Sequence, residues 1–155
     1  MGHIRKGLDA LNSKRKKELI KKVEEQFGCT LNKDWVYMIN NKGKIYVVNK
    51  ELIHINLSDF WIDSVGLYLG RFDGELRPSI EGSQIIGKSA TKNIYEVDKE
   101  GKHEWMMGIE PEIGGEDRVV IVKHKNDFLG AGKVRKGKLL TGVPKARRLR
   151  VVNEE

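Results

Sequence analysis

The chain has almost none of the residues that hold small extracellular or metal-bound domains together. Only one of its 155 residues is a cysteine, so no disulfide can form within the chain. None of its four histidines stands in the C-x-x-C or H-x-x-x-H spacing typical of zinc sites. We therefore expect a protein of the reducing cytoplasm, with no disulfide framework, no metal and no other cofactor.

Long apolar runs are also missing. No stretch approaches the roughly 18 consecutive apolar residues that a membrane-spanning helix needs. No apolar run follows the first basic residues either, so we expect no signal peptide. The apolar content of 39% is nevertheless enough to build a core. These features predict a soluble cytoplasmic protein that has no membrane partner.

The motifs of common enzymes are absent as well. No glycine-rich turn joins a predicted parallel strand to a helix, and the G-A-G-K sequence at 130–133 lies in a predicted hairpin. Cys29 is the only thiol, and it stands at a predicted helix end without the motif context that RNA 5-methylcytosine chemistry requires. We expect no enzymatic activity and no catalytic residues.

Charge is what the sequence has in excess, and it is unevenly distributed. Residues 1–22 contain eight basic and two acidic side chains, whereas residues 23–117 contain ten basic and seventeen acidic ones. Residues 118–150 contain eleven basic side chains and one acidic side chain, in a chain whose net charge is +7. Because like charges repel, their concentration in one segment indicates a polyanionic partner.

The first half of the chain predicts a small α/β unit with a mostly antiparallel sheet, over residues 1–88. Apolar residues at helical spacing predict a helix over 14–27, with Ser13 as its N-cap and Gly28 after its end. The runs 35–39 and 44–48 predict a hairpin, followed by a helical piece near 50–57. A bent strand over 62–72 and an edge strand over 76–80, which contains Pro78, complete the unit.

The second half, residues 89–155, predicts a closed or nearly closed β structure. It begins with a strand over 93–98 and a helix over 98–107, which Gly108 ends. A loop over 109–117 leads to strands over 118–124, 128–134 and 147–152. Alternation places Gly130 and Gly132 on one face, where glycine indicates a bend or bulge more often than a phosphate contact. The fold class is therefore α+β, with a boundary in the polar segment 87–93.

Several spaced motifs of the second half resemble a PUA domain, a compact pseudobarrel that binds RNA. They are N-I-Y-E-V-D (93–98), E-W-M-M-G (104–108), D-R-V-V-I-V (117–122), N-D-F-L-G-A-G-K-V (126–134) and P-K-A-R-R-L-R (144–150). The match covers roughly residues 88–152. It particularly resembles the version at the C-terminus of archaeal Nop/Sun-type RNA 5-methylcytosine methyltransferases and in small archaeal proteins built as a pre-PUA domain followed by a PUA domain. The first half, with S-V-G-L-Y-L-G-R-F at 64–72, more loosely resembles the pre-PUA domain of Nip-type ribosome-assembly proteins.

The resemblance implies an RNA partner, rRNA or tRNA, and a role in RNA modification or ribosome assembly. The basic segment agrees, since lysine and arginine supply phosphate contacts and arginine adds bidentate and stacking ones. In the strand 147–152, alternation places Arg148 and Arg150 on one face and Arg147 on the other. The predicted RNA contacts are Lys123, Lys125, Lys133, Arg135, Lys136, Lys138, Lys145, Arg147, Arg148 and Arg150.

Four alternatives stay open at this point. The chain could be a protein-interaction scaffold of ribosome assembly whose basic face packs on an acidic protein, or an accessory subunit of a separate RNA methyltransferase. The lysines of the first helix could contact nucleic acid, although a solvated helix face is the more common reason for such a pattern. The three tryptophans could stack on bases. Their apolar neighbours favour a core position for each of them, namely Trp35, Trp61 and Trp105.

Overall fold

The structure is a computed structural model, and it describes residues 8–49 and 66–141. This part of the chain is an α+β fold with two mainly antiparallel sheets and three helices. The predicted fold class is confirmed at that level. None of the three helices is long and apolar enough to span a bilayer.

The first sheet has five strands in sequential order, and every neighbouring pair is antiparallel. The hairpin predicted around Asn40–Gly43 is confirmed, since the side chain of Asn40 accepts hydrogen bonds from two backbone N–H groups of the turn. The predicted edge strand is confirmed only in part, because Ser79 caps a helix that begins at Ile80. The strands are β1 Leu8–Ala10, β2 Val36–Asn40, β3 Lys44–Val48, β4 Leu67–Phe72 and β5 Leu76–Pro78.

The first helix, α1 (Ser13–Phe27), has its apolar residues on the sheet side, as their spacing predicts. Leu19, Ile20, Val23 and Phe27 are all buried. The predicted N-cap is wrong by one residue. Asn12 has the extended backbone of a cap, and its side-chain oxygen accepts the N–H of Arg15, while Ser13 is already helical. The helix predicted near 50–57 lies outside the described residues.

The second sheet has four strands, in the order β6-β7-β8-β9. They are β6 Ile94–Glu96, β7 Arg118–His124, β8 Asp127–Arg135 and β9 Lys138–Thr141. β6 is parallel to β7, and the other pairs are antiparallel. Within the described ranges this sheet does not close into a barrel, and the strand predicted over 147–152 lies beyond them.

Two further helices cover the second sheet, one on each face. Helix α3 (Lys99–Met106) is close to the predicted one, and Asp98 caps it. Its Trp105 is buried and donates a hydrogen bond to the carbonyl oxygen of Leu129. Helix α2 (Ile80–Gly87) was not predicted, because four of the nine residues from Ser79 to Gly87 are glycine or serine, which have low helix propensity.

The largest core cluster contains residues from both sheets. It joins the buried face of α1 to β2, β3 and β4, and also to Val119, Ile121 and Ala131 of the second sheet. A smaller cluster surrounds Trp105 on the other face of the second sheet. The core position predicted for Trp105 is therefore confirmed, Trp35 is partly buried against the larger cluster, and Trp61 lies outside the described residues. The domain boundary near residue 88 stays a prediction.

Each sheet contains one β-bulge. In β4, Tyr68 pairs with Tyr46 and Gly70 with Ile45, so Leu69 has no partner opposite. The predicted bend of this strand is thus a bulge.

The second bulge lies in β8, where Leu129 and Gly130 together face the single residue Val122. Gly130 has a φ of 106°, which favours glycine, so the predicted bulge is confirmed. The predicted common face of the two glycines is wrong. A side chain at Gly130 would meet Ile80 of α2, whereas one at Gly132 would meet Trp105 on the opposite side, because the extra residue shifts the alternation.

Candidate nucleic-acid interface

The predicted RNA-binding residues that the structure describes lie at the two ends of the second sheet. Lys123 and Lys125 are at the β7–β8 end, and Arg135, Lys136 and Lys138 are at the β8–β9 end. The nine residues of β8 separate these ends by roughly 30 Å, at about 3.3 Å per residue. The structure does not bring the predicted cations together in one contiguous face.

At the β7–β8 end, the cations stand among other charged groups. The Nζ atom of Lys123 lies 5.7 Å from the centre of the Phe128 ring. Lys125 is exposed in the two-residue turn that follows β7. Next to it, the Lys102 ammonium and the Asp127 carboxylate form an ion pair at 3.5 Å. This end therefore offers only Lys123 and Lys125 of the predicted contacts, and a neighbouring acid, Asp127, reduces the local positive charge.

At the β8–β9 end, a two-residue turn presents three exposed cations. Arg135 pairs directly with Lys138, and between them Lys136 and Gly137 have φ values of 52° and 79°. Positive φ at both central positions is typical of a type I′ hairpin turn. The three side chains project from adjacent positions of this turn, and we name the group Arg135, Lys136 and Lys138 the β8–β9 turn cations.

The loop 109–117 holds this turn in place through backbone hydrogen bonds. The N–H groups of Ile113 and Gly114 both donate to the carbonyl oxygen of Gly137, at 2.8 Å each. The N–H of Leu139 donates to the carbonyl oxygen of Pro111, also at 2.8 Å. These bonds fix the turn on both sides, so its cations project from a rigid frame.

Two acidic residues of the same loop bond to the backbone, and a third, Glu112, lies opposite Lys138 in an isolated β-bridge. The Asp117 carboxylate accepts the N–H of Lys136 at 3.2 Å, and the Glu110 carboxylate accepts the N–H of Thr141 at 3.0 Å. Among the described residues, no carboxylate forms an ion pair with the turn cations. Arg135 and Lys136 therefore keep their positive charge available to a ligand, whereas the charge of Lys138 is partly balanced by Glu112.

Lys133 and the nearby Arg118 have internal roles. The Lys133 ammonium forms an ion pair with the Glu75 carboxylate in the β4–β5 turn, where it joins the two sheets. Arg118 donates hydrogen bonds to the carbonyl oxygens of Gly114 and Glu116. The remaining predicted contacts, Lys145, Arg147, Arg148 and Arg150, lie outside the described residues.

The lysines of α1 line an open groove of about 400 Å³. Within it, the Lys16 ammonium donates to the carbonyl oxygen of Lys33 at 2.5 Å and lies 5.7 Å from the Tyr37 ring centre. The Glu24 carboxylate accepts the N–H of Leu31. The groove thus mixes lysines with an acid, and its central lysine already has a structural contact.

The sequence interpretation missed one group of cations, on the outer face of the first sheet. Lys44 lies directly opposite Arg71, and Arg71 lies directly opposite Arg77, so three cations form a row across β3, β4 and β5. We name these residues the first-sheet cation row. The only indication of this row in the sequence was Gly70. A glycine inside a strand pattern can mark a bulge, and a bulge changes which side chains share a face.

Cys29 has no features of a nucleophile in this fold. It is buried after the end of α1, and its thiol lies 3.6 Å from the carbonyl oxygen of Val23. Burial, and to a lesser extent the Glu24 carboxylate, raises the pKa of Cys29 to about 11, so the thiol stays protonated at neutral pH. In the described ranges, no cluster of three or more His, Cys, Asp or Glu side chains forms that could hold a metal ion.

No protein-family model matches this chain, and no curated protein matches its sequence. The family resemblance stays a prediction, and the function has to be inferred from the surface.

Proposed function

We propose that this chain is a non-catalytic RNA-binding protein of the pre-PUA plus PUA type, which acts in rRNA or tRNA modification or in ribosome assembly. The β8–β9 turn cations and the basic segment that follows Thr141 bind structured RNA. The observation that carries the proposal is a turn anchored by backbone hydrogen bonds, with three exposed cations that form no ion pair with the described carboxylates.

Physical reasons favour a polyanion at this turn. Phosphate contacts supply most of the affinity of RNA-binding proteins, and each contact releases bound counterions. A turn that is already fixed by backbone hydrogen bonds loses little conformational freedom on binding, so more of the interaction free energy appears as affinity. Beyond Thr141, four further cations follow within nine residues.

A charge-reversal experiment tests the turn. The variant carries Arg135→Glu, Lys136→Glu and Lys138→Glu, and the matched control carries Lys88→Glu, Lys92→Glu and Lys99→Glu, three exposed positions with the same change in net charge. Both are titrated with labelled tRNA and rRNA fragments at graded salt. The turn variant is expected to lose affinity and to lower the slope of log K against log salt by about 2 to 3, at roughly 0.9 per lost phosphate contact.

Other outcomes decide between the candidate partners. If the turn variant and the control bind RNA equally well, with unchanged circular dichroism, the turn is not the RNA site. If neither the wild type nor the control binds RNA but both bind an acidic protein, the scaffold alternative replaces the proposal. A second variant, with Lys145→Glu, Arg148→Glu and Arg150→Glu, extends the test to the basic segment, where we expect loss of RNA binding without loss of fold.

A further inference from the structure

The first-sheet cation row is an arrangement that folding alone disfavours. Side chains directly opposite each other in an antiparallel pair have Cβ atoms about 5 Å apart, and like charges at that distance destabilise the sheet. Here the unfavourable pairing occurs twice in succession, from Lys44 to Arg71 and from Arg71 to Arg77. An anion bound on this face would neutralise the three cations and remove their mutual repulsion, which would favour its binding.

No carboxylate among the described residues forms an ion pair with the row. Two acids lie in the β4–β5 turn next to the row: Glu75 is paired with Lys133 of the second sheet, and Asp73 is exposed and forms no ion pair with the row. Arg71 and Arg77 are exposed, and Lys44 is half-buried. The row therefore presents three positive charges that form no ion pair with a described carboxylate.

The bulge in β4 places aromatic side chains beside these cations. In a regular strand, residues 68 and 71 would lie on opposite faces. Because Leu69 is an extra residue, Tyr68 pairs with Tyr46 while Arg71 pairs with Lys44, and all four side chains share the outer face. The inner face receives Leu69 and Phe72, which belong to the main core or pack against it.

The two tyrosines form a compact aromatic group. The ring centres of Tyr46 and Tyr68 are 5.3 Å apart, and the Lys44 ammonium lies 5.6 Å from the Tyr68 ring centre. Both tyrosines are half-buried: Tyr46 packs against Met38 and Val48 on the same face, and each ring keeps part of its surface in contact with solvent. Aromatic rings next to a line of cations are the combination with which sheets bind unpaired bases and their phosphates.

We infer that this face of the first sheet is a second RNA site, which binds a single-stranded segment. The phosphates contact Lys44, Arg71 and Arg77, and a base stacks on the pair Tyr46 and Tyr68. The tyrosines favour RNA over an acidic protein, because carboxylates do not stack, and they favour single strands over duplexes, whose bases are not accessible. The inference rests on the proposed function in one respect, the identity of the polyanion as RNA.

Two sets of variants test this site with a fluorescein-labelled 12-nucleotide oligouridylate as the probe. The row variant carries Lys44→Gln, Arg71→Gln and Arg77→Gln, and it is expected to bind about tenfold or more weakly, with a shallower salt dependence. The tyrosine variant carries Tyr46→Leu and Tyr68→Leu, and it is expected to bind about tenfold more weakly with the salt dependence unchanged. Its matched control carries Tyr46→Phe and Tyr68→Phe, which keep the stacking rings and should restore binding.

The site is overturned if the wild type does not bind the oligonucleotide, or if the row variant binds it as tightly as the wild type. It is also overturned if the leucine and phenylalanine variants bind equally, since the rings would then contribute nothing. A wild type that binds an acidic polypeptide but not oligouridylate would replace RNA by a protein partner and overturn the inference. Thermal melting of each variant verifies that the fold is intact.

The two variants distinguish a failure of this inference from a failure of the proposed function. The β8–β9 turn variant leaves the first sheet untouched, so it should keep its affinity for the oligonucleotide while losing structured RNA. The row variant should lose affinity for the oligonucleotide while it keeps its affinity for structured RNA. Loss of both activities in both variants would contradict the existence of two separate sites.

Discussion

The two sheets use the same irregularity with opposite results. The bulge in β4 brings Tyr68 and Arg71 to the outer face of the first sheet, opposite the main core. The bulge in β8 has Leu129 in the cluster around Trp105, while Phe128 and Ala131, on either side of it, pack in the main core. An extra residue therefore adds charged and aromatic side chains to the partly exposed outer face of the first sheet, where Met38 and Val48 are buried, and it only rearranges packing in the second sheet.

Helix α2 contacts both bulges, and this explains how they are held. The side chain of Ser79 donates to the carbonyl oxygen of Tyr68, and its N–H donates to that of Leu69. On the other side, the buried hydroxyl of Ser83 accepts the N–H of Gly130 at 3.0 Å. The small residues that hide this helix in the sequence allow it to approach two irregular strands closely.

The largest effect is expected where α2 meets the bulge of β4. A methyl group at Gly82 would overlap with the carbonyl oxygen of Leu69, so Gly82→Ala should destabilise the fold by about 3 kcal/mol. In an ordinary helix the same change stabilises, by about 0.5–1 kcal/mol, so the sign itself is informative. Chemical denaturation measures it, with Gln84→Ala on the exposed side of the helix as the control. A stabilised Gly82→Ala variant would contradict the close contact.

A smaller effect is expected at the bulge of β8. Ser83→Ala leaves the buried N–H of Gly130 without its acceptor and should cost about 1–3 kcal/mol. The control is Ser89→Ala, which removes an exposed hydrogen bond to the N–H of Thr30 and should cost less than about 1 kcal/mol. Hydrogen exchange should be faster at the Gly130 amide in the Ser83 variant. Equal losses in the two variants would mean that α2 does not support this bulge.

The smallest effect concerns ionisation, and it tests which face Arg71 occupies. Burial raises the pKa of Tyr68 above its ordinary value, Tyr46 adds to the rise, and Arg71 opposes it. Removing the positive charge with Arg71→Gln should therefore raise the pKa of Tyr68 further, whereas Arg77→Gln, one strand away, should change it less. NMR titration of the tyrosine ring carbons measures both. An unchanged Tyr68 pKa in the Arg71 variant would place the two side chains on opposite faces.

Elements with strong local signals could be predicted from the sequence. The α1 periodicity, the turn at Asn40–Gly43 and the apolar run of β7 each depend on neighbouring residues, and the structure confirms all three. Helix α2 could not be predicted, because its formation depends on contacts with two distant strands rather than on helix propensity. The N-cap was missed by one residue because Asn12 and Ser13 are both good caps.

The same distinction applies to the candidate sites. The β8–β9 turn cations are close along the chain, so their charge density was visible in the sequence. The first-sheet cation row was not, because Lys44, Arg71 and Arg77 meet only through the register of three strands. The described members of the predicted RNA-contact set do not form one face, since two-residue turns at opposite ends of β8 separate them.

The extra residue in β4 also determines which side chains of the strand lie on the outer face and which lie on the core face. If one residue between Tyr68 and Arg71 were deleted, the side chains of one half of β4 would move from the outer face to the core face and the reverse. The number of residues between these two positions is therefore constrained more strongly than the identity of the side chains. A relative that retains this surface must retain an aromatic residue three positions before a basic one, with a glycine between them. The pattern Y-x-G-R, opposite K-x-Y on the preceding strand, is therefore a search pattern for proteins that share this surface but little overall sequence identity.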